Sequence, residues 1–373
     1  MHTRAEAAQE RAPDRRAGEA SGAAGRSAPE DPISRELPLW EERVAGLGEP
    51  RFRAGQVFAW IHKKGILRPD RMGNLPGSLR ERLADEPFSL AVSLERVLTS
   101  RDRTRKFLFR LEDGLAIEAV LIPEAGRLTL CLSTQVGCRM RCAFCRTGGL
   151  GFERNLRAGE ILGQHYAIRS LLKDVEGGPA VTHIVFMGMG EPLDNLEETR
   201  RALRILSHPL GCGMSLRRMT VSTVGIPAGL ETLFLETPVS ITVSLNAADD
   251  ETRSRIMPVN RRYPLGDVLE TLRRLPLPPR RRFTIAYVLL RGVNDSPEDA
   301  RRLVRLLHGI RCKVNLIPFN PFPGTELQGP EESGMLAFQA LLRSKGVSAH
   351  VRQSRGSDIL GACGQLAGDR PDV

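Results

Sequence analysis

Three cysteines in the first half of the chain share one short segment, Cys138-Arg139-Met140-Arg141-Cys142-Ala143-Phe144-Cys145, in a C-x3-C-x2-C spacing. We call this segment the cysteine loop and its three cysteines the loop cysteines. The preceding run, Arg127 to Thr134, alternates apolar residues with others and predicts a β-strand. A strand that leads into such a loop can wrap three thiolates around one cluster. Structural zinc usually takes four protein ligands, commonly from C-x2-C pairs, and the sequence offers no partner pair.

Iron–sulfur clusters also normally take four thiolates, so three close cysteines suggest one iron left open for a non-protein ligand. This incomplete set, with Phe144 just before the last cysteine, resembles the radical S-adenosylmethionine (SAM) enzymes. The resemblance implies a 4Fe-4S cluster on Cys138, Cys142 and Cys145, with the open iron holding the amino and carboxylate groups of SAM. The alternative is a chance grouping of cysteines in a loop.

Length and composition favour a cytoplasmic α/β protein. The chain has 373 residues, enough for one large domain and a smaller one. No stretch approaches the roughly 20 consecutive apolar residues of a membrane span, and residues 1–30 lack the apolar core of a secretory signal. Seven cysteines, three of them clustered, do not form a disulfide framework.

The net charge of +10 indicates a polyanionic partner such as RNA. Residues 1–35 carry six arginines and six acidic residues, so the excess charge lies in the remainder of the chain. Solvated helix faces are the alternative explanation. Basic residues cluster at Arg51/Arg53, His62-Lys63-Lys64, Arg101 to Lys106, Arg217-Arg218, Arg261-Arg262 and Arg280-Arg281-Arg282.

The order of patterns along the chain predicts five regions. Residues 1–35 have almost no large apolar residue and should be a disordered tail. Residues 36–90 show helical periodicity, with Val57, Phe58 and Ile61 on one face, and form a basic helical unit that we expect to contact RNA. Residues 91–126 read as a β-rich connector, and residues 351–373 as a glycine-rich active-site loop and tail that could lie across the mouth of the barrel described next.

Strands and helices alternate through residues 127–350, which favours parallel strands with crossover helices. We therefore predict an α/β fold, a partial (β/α)6-type barrel with a small N-terminal helical domain and a short β extension. In such barrels the chemistry lies at the carboxyl ends of the strands. The predicted strands are Leu128–Ser133, His183–Met187, Met219–Thr223, Ser240–Leu245, Phe283–Leu290, Val314–Phe319 and Val347–Val351.

Three predicted strands run into small or polar residues. Gly188-Met189-Gly190-Glu191-Pro192 follows one of them, and its backbone and Glu191 could bind an ammonium group. By itself this segment is more typical of an ordinary turn. Ser222 and the run Ser244-Leu245-Asn246 follow the next two strands and suit carboxylate and ribose contacts, although strand chemistry alone would also explain them.

Further motifs make the resemblance specific: from about residue 37 to 368 the chain is similar to the RlmN family of adenine-C2 methyltransferases, which act on 23S rRNA and tRNA. The family's usual Ser-Leu-His-Ala pattern reads Ser244-Leu245-Asn246-Ala247 here, which leaves the detail of the ribose contact open. The matching stretches include Phe52-Arg53-Ala54-x-Gln56, Ile122-Pro123-Glu124, Cys131 to Cys138, Gly151-Phe152-x2-Asn155-Leu156, Gly188–Asn195, Asn315 to Pro321 and Arg355-Gly356-x-Asp358-Ile359-x2-Ala362-Cys363-Gly364-Gln365-Leu366.

The resemblance implies roles that composition does not suggest. Cys363 corresponds to the cysteine that is methylated and carries the one-carbon unit, and Cys131 to the cysteine that releases the product through a transient disulfide. Glu118 corresponds to the general base, and Asn320 to a SAM contact. Two SAM molecules would be used per turnover: one methylates Cys363, and the other gives the radical that activates its methyl group.

The family also implies partners: 23S rRNA, tRNA (next to the anticodon) and an electron donor such as a flavodoxin or ferredoxin system. We expect a monomer in the cytoplasm, without membrane attachment. Three alternatives stay open from the sequence: the same machinery aimed at adenine C8, as in Cfr-type relatives, a non-enzymatic Fe–S RNA-binding protein, and a radical-generating activator of another enzyme.

Overall fold

A computed structural model describes residues 31–173 and 180–368 of the chain. Most of the predicted disordered tail and the last residues, 369–373, lie outside the described residues. The helices are α1 Leu37–Gly46, α2 Phe52–Ala59, α3 Gly77–Leu83, α4 Arg146–Gly149, α5 Ala158–Lys173, α6 Leu196–Ser207, α7 Pro227–Glu236, α8 Asp250–Ile256, α9 Leu265–Arg274, α10 Pro297–Leu306 and α11 Glu332–Ser344. A π-helical turn, Trp60–Lys64, continues α2, and 3-10 turns lie at Pro69–Arg71, Leu216–Arg218, Pro258–Arg261 and Ser357–Ile359.

A single ten-stranded sheet runs through the protein in the order β1-β2-β3-β4-β7-β8-β9-β10-β11-β12. From β4 onward every neighbouring pair in this sheet is parallel, whereas β1 to β4 form an antiparallel meander. The strands are β1 Val92–Thr99, β2 Arg105–Leu111, β3 Ala116–Glu124, β4 Arg127–Leu132, β5 Gln135–Gly137, β6 Phe152–Asn155, β7 His183–Phe186, β8 Met219–Thr223, β9 Ser240–Ser244, β10 Phe283–Leu289, β11 Cys312–Pro318 and β12 Ala349–Val351.

The predicted partial barrel with a helical N-terminal region is confirmed, because all seven predicted strands of residues 127–350 appear as parallel neighbours with helices between them. The predicted β-rich connector, residues 91–126, is continuous with the barrel sheet. β3 pairs with β4 in register Val120↔Cys131, so the meander extends the barrel sheet itself. Its strands therefore form one side of the site.

The helical unit packs as its periodicity predicts, with Val57, Phe58 and Ile61 almost fully buried. Residues 31–35 differ from the predicted disordered tail: Ile33 is fully buried, and the Ser34 hydroxyl accepts a 2.7 Å hydrogen bond from the Gly159 amide at the start of α5. One apolar residue and one hydrogen-bonding hydroxyl are enough to order this short segment.

Two hydrophobic clusters divide the interior. The larger one fills the space between the sheet and its helices, and the smaller one lies around the cysteine loop. The smaller cluster consists of Cys138, Met140, Val224, Ala247, Ile256, Met257, Leu290 and Phe319. Because these residues come from the loop and from segments that follow barrel strands, the cluster marks the carboxyl end of the barrel as an apolar region. None of the helices in residues 31–173 and 180–368 is both long and apolar enough to cross a membrane.

Candidate active site

The cysteine loop is held between a small hairpin and a barrel helix. β5 and β6, on either side of the loop, pair antiparallel, and the Cys138 amide donates to the Gly151 carbonyl at 2.7 Å. Inside the loop, the Ala143 amide donates to the carbonyl of Ile256, the last residue of α8, at 2.9 Å. The sequence patterns missed both the hairpin and α8, and together these elements fix the loop at the carboxyl end of the barrel.

The loop cysteines face one another closely enough to interact electrostatically. Burial raises the pKa of all three thiols, and the pKa of Cys142 is raised further by Cys145 and Cys138. Within the described ranges, no three His, Cys, Asp or Glu side chains are arranged to hold a single metal ion. A cluster spreads its ligands over several irons, so its thiolates need not converge on one point.

The donor set fits a three-thiolate iron–sulfur cluster. All seven cysteines lie in the described ranges and are free thiols, so the loop cysteines are available as ligands. Soft thiolates select iron–sulfur clusters, and the apolar cluster around the loop limits access of water. A cavity of about 560 Å3 borders the loop, lined in part by Cys142, Cys145 and Phe322.

Gly190 and Glu191 lie beside the cysteine loop, at the carboxyl end of β7. Gly190 has a φ of +102°, and a Cβ there would lie 2.6 Å from the Cβ of Gln135, so only glycine fits. Glu191 is buried, and it accepts hydrogen bonds from the amides of Val224 (2.9 Å) and Leu193 (3.1 Å). Burial raises the pKa of Glu191 to about 7 because it disfavours the carboxylate, and a bound ammonium group would offset that cost.

The other predicted cofactor contacts lie at the ends of β8 and β9. Ser222 and Ser244 are half-buried, and Leu245 is fully buried. Asn246 is buried with a φ of +59°, a conformation that Asn tolerates better than most residues. Its Oδ1 accepts from the Val288 amide at 2.9 Å, and its Nδ2 lies 3.3 Å from the sulfur of Met257. The side chain is thus engaged with the barrel itself, and a ribose would have to share it.

Asn320, just after β11, connects the barrel to the segment that carries Cys363. Its Nδ2 donates to the Cys363 carbonyl at 3.1 Å. The Arg146 amide donates to the Gly364 carbonyl at 2.7 Å. Gly364 has a φ of +83°, and a Cβ there would lie 2.9 Å from the Phe144 carbonyl oxygen. Residues 356–368, which we call the C-terminal segment, therefore lie directly against the cysteine loop.

Cys363 and Cys131 are brought to the same region from opposite ends of the barrel sequence. Cys363 is exposed to solvent as a residue. Protein atoms around its sulfur nevertheless raise the pKa of the thiol by desolvation, and Arg352 opposes this rise. Burial raises the pKa of Cys131 strongly, and Cys363 adds to that shift. Cys145 also raises the pKa of Cys363. The same region thus contains the cysteine loop together with Cys131 and Cys363, which we call the lone cysteines.

Glu118 is buried on β3 and fastens the C-terminal segment. Its Oε1 lies 2.9 Å from the ammonium of Lys106, and its Oε2 accepts from the amides of Ala367 (2.8 Å) and Gly368 (3.1 Å). Lys106 also donates to the Leu360 carbonyl at 3.2 Å. The sequence grouped Lys106 with the basic run that begins at Arg101; in the structure its side chain is buried and paired with Glu118.

Further anchors of the segment were missed as well. The Ser100 hydroxyl donates to Asp358 at 2.6 Å, and the Gly356 amide donates to Asp102 at 3.0 Å. The only sequence signal was the turn chemistry of residues 100–104 between two strands. The other unpredicted residue is Arg253, which is fully buried on α8. It sits in a charged, helix-like run that gives no reason to expect an interior position.

The fold and the three-cysteine loop define a radical SAM enzyme, and residues 132–304 match the model of the Radical SAM superfamily. Residues 40–87 match the model of the ribosomal RNA large subunit methyltransferase N-terminal domain. The chain belongs to the RlmN family of radical SAM RNA methyltransferases.

Relatives support this assignment over nearly the whole chain. A dual-specificity RNA methyltransferase RlmN from Syntrophobacter fumaroxidans is 47% identical over 89% of this chain and 96% of its own length. The protein of the same name from Geobacter sulfurreducens is 48% identical over 88% of this chain and 89% of its own length. A crystal structure of a radical SAM methyltransferase from Sphaerobacter thermophilus covers 91% of this chain and all of that chain, with 42% identity and a TM-score of 0.85.

Proposed function

We propose that this protein methylates C2 of an adenosine in 23S rRNA and in tRNA, through a methylated Cys363, in a reducing cytoplasm. The observation that carries the proposal is the shared environment of Cys363, Cys131 and the cysteine loop: hydrogen bonds from Asn320 and Arg146 hold the backbone of residues 363 and 364 against the loop, and Cys363 raises the pKa of Cys131. A simple radical-generating enzyme would not need two extra cysteines there. The name of the relatives gives RNA as their substrate, and the matched N-terminal family model names large-subunit ribosomal RNA.

The cofactors supply what the side chains cannot. An aromatic adenine carbon is a poor nucleophile, so displacement on SAM alone does not methylate it; a 4Fe-4S cluster and SAM, when bound, provide radical chemistry for this step. The loop cysteines would hold the cluster, and an electron would come from a flavodoxin or ferredoxin system. Gly190, Glu191, Ser222, Ser244, Leu245, Asn246 and Asn320 would orient SAM at the carboxyl ends of the strands.

The two lone cysteines divide the remaining work. Cys363 is open to solvent, and Arg352 opposes the rise in its pKa that burial of the sulfur causes. It would accept a methyl group on its sulfur and carry it to the base. The Cys131 thiolate would then attack the Cys363 sulfur, forming an S–S bond as the carbon–sulfur bond to the product breaks and the released carbon takes up a proton to complete the methyl group. Reduction of this disulfide by an external thiol returns both cysteines to the free state seen in the structure.

Glu118 would accept the proton that leaves C2. Both of its oxygens have protein partners, but among the described residues Lys106 is the one polar partner of Oε1, so a second lone pair of Oε1 remains for a proton. The same carboxylate holds the C-terminal segment. The general base would thereby be fixed relative to Cys363, which lies on that segment.

The helical unit carries a surface suited to RNA. We call Arg53, Lys63 and Lys64 the basic face. The Arg53 guanidinium lies 4.7 Å from the ring centre of Phe52, which is 62% exposed, and the Lys64 ammonium lies 3.4 Å from the ring centre of Trp60. Trp60 is half-buried, and cations next to such partly or fully exposed rings can bind phosphates while the rings stack on unpaired bases. His62, grouped with these lysines from the sequence, is buried and does not belong to the basic face.

Nucleoside analysis tests the proposal directly. The protein, reconstituted with iron and sulfide, would be incubated with SAM, a reductant and unmodified 23S rRNA or tRNA, and the digested RNA analysed by mass spectrometry. We expect 2-methyladenosine. Formation of 8-methyladenosine would show C8 chemistry instead, and SAM cleavage without RNA methylation would refute the assignment as a methyltransferase of these RNAs. A Cys363→Ala variant is the matched control.

A further inference from the structure

Arg253 is an arginine inside the apolar region of the site. Its side chain is fully buried, and all of its hydrogen bonds go to neutral groups. Nε donates to the Leu245 carbonyl at 3.1 Å, and the two terminal nitrogens reach the Asn260 side chain at 2.7 Å and the Val224 carbonyl at 2.7 Å. Further carbonyl contacts are to Tyr263 and Ser244.

No carboxylate within the described ranges forms an ion pair with this guanidinium. The nearest acidic residue on the same helix, Asp250, instead accepts hydrogen bonds from Asn260 and the Leu265 amide. Burial lowers the pKa of Arg253 to about 10, a shift that Cys142 and Asp250 oppose. Buried charges are normally paired, because an uncompensated ion in the interior is costly. The counter-charge of Arg253 should therefore come from a group that becomes anionic only when the protein has bound its cofactors.

The cysteine loop supplies such a group. α8, which carries Arg253, ends at Ile256, and the Ile256 carbonyl holds the loop through the Ala143 amide. The Val224 carbonyl, which accepts from Arg253, belongs to a residue of the apolar cluster that contains Cys138 and against which Cys142 packs. Thiols are neutral when protonated but anionic when they bind iron. Binding of a cluster to the loop cysteines therefore creates negative charge next to a cation that has no ion-pair partner within the described ranges.

We propose that Arg253 provides the counter-charge of the cysteine loop and thereby sets how readily a cluster bound there accepts an electron. Because its donors are already engaged by carbonyl and amide oxygens, Arg253 acts through its charge and not through a direct hydrogen bond to a ligand. It is a positioning residue as well, since it ties the ends of β8 and β9 to α8. The inference rests on the proposed function only in requiring a cluster on the loop cysteines.

The test separates charge from packing by comparing Arg253→Met with Arg253→Lys. Each reconstituted protein would be titrated electrochemically with soluble mediators, and the reduced cluster measured by electron paramagnetic resonance, with and without SAM. Loss of the positive charge disfavours an added electron, so Arg253→Met should lower the reduced-to-oxidised ratio at a fixed potential at least tenfold, about 59 mV for a one-electron couple. Arg253→Lys keeps the charge as long as the lysine stays protonated, and at a pH below the pKa of that lysine it should change the ratio less than threefold.

Asn260→Ala is the matched control, because it removes one hydrogen bond of Arg253 and leaves the charge. It should lower the melting temperature without changing the reduced-to-oxidised ratio. If Arg253→Met does not fold, Arg253→Lys alone suffices: burial lowers the pKa of lysine, so its ratio should fall between about pH 7 and 9 while the wild-type ratio stays constant.

Equal ratios in all variants, or equal shifts in the Lys and Met variants with no pH dependence in Arg253→Lys, would overturn the counter-charge role. Absence of cluster iron in the wild-type protein would refute the proposed function instead. A shift that appears only with SAM present would assign the anion to the SAM carboxylate and contradict the proposal for the thiolates.

Discussion

Replacing Glu118 with Gln should release the C-terminal segment from the barrel. The substitution keeps the shape and one oxygen that can accept from the Ala367 and Gly368 amides, but it removes the charge opposite Lys106. Both side chains of that pair are nearly excluded from solvent, at 9% and 4% exposure, so the ammonium would be left buried and unpaired. Breaking a buried pair from one side costs about 3–5 kcal/mol.

This cost falls on the segment rather than on the whole barrel, because Glu118 contacts the amides of residues 367 and 368. A loss of about 3 kcal/mol raises the population of the released segment more than a hundredfold. Hydrogen exchange followed by mass spectrometry should therefore show at least about a hundredfold faster exchange of these amides. The thiol of Cys363 should also react faster with a maleimide reagent.

Two further variants make the result specific. Lys106→Met/Glu118→Gln removes both charges and should recover much of the lost protection, since a neutral pair leaves no buried ion. Glu124→Gln, at the half-exposed end of the same strand, should leave exchange at residues 367 and 368 unchanged. If exchange in Glu118→Gln matches the wild type, Glu118 does not anchor the segment and our interpretation of its hydrogen bonds is refuted.

The remaining predictions concern the cluster, the lone cysteines, RNA binding and pH. Alanine at any one loop cysteine should abolish the brown Fe–S chromophore; full iron content with normal SAM cleavage in such a variant would contradict the ligand assignment. Cys131→Ala should accumulate protein covalently joined to labelled RNA on a denaturing gel, and Cys131→Ala/Cys363→Ala should not. A Cys131→Ala protein that cleaves SAM without forming this cross-link would remove Cys131 from the mechanism. Neutralising the basic face should flatten the salt dependence of RNA binding, because fewer counterions are released. The control neutralises three arginines of α10 that already pair with acidic residues, Arg301, Arg302 and Arg305. It should change the slope less, and equal slopes would argue against the basic face. The raised pKa of Glu191, about 7 against 4.5, means that the folded apoprotein binds the proton more tightly than the unfolded chain. Its contribution to stability, at most about 3 kcal/mol, should be present below pH 4.5 and lost as pH rises through about 7. Thermal unfolding should show this loss in the wild type and not in Glu191→Gln, and parallel pH profiles would refute it.

The barrel was predictable because its signals are local. Alternating strand and helix periods, and cysteines spaced within eight positions, need no knowledge of distant parts of the chain. The motifs that end strands could likewise be placed at the carboxyl edge before the structure was known. The loop cysteines and Glu191 therefore lie where the sequence puts them, near one another at one end of the barrel.

The supporting contacts were not predictable, because they join distant positions. Lys106 looks like any base in a basic run, and its burial follows from its ion pair with Glu118 on the neighbouring strand and its contact with Leu360, 254 positions away. Arg253 and Glu118 are similar cases: charged residues are rarely buried, so a single sequence favours the surface for both. Their interior positions follow from tertiary contacts that no local pattern encodes.

The long separations across the C-terminal segment have a consequence for how the protein matures. Its anchors on β1 to β3 join residues about 250 positions apart, from Ser100–Asp358 to Glu118–Gly368. Contacts this distant in sequence tend to form after local ones during folding. We therefore expect an early intermediate in which the barrel has formed and the cysteine loop is still uncovered, which gives iron and sulfide a period of access before the segment closes. Cluster insertion into the refolding protein should then be faster in Glu118→Gln than in the wild type, and equal rates in a stopped-flow absorbance experiment would exclude such an interval.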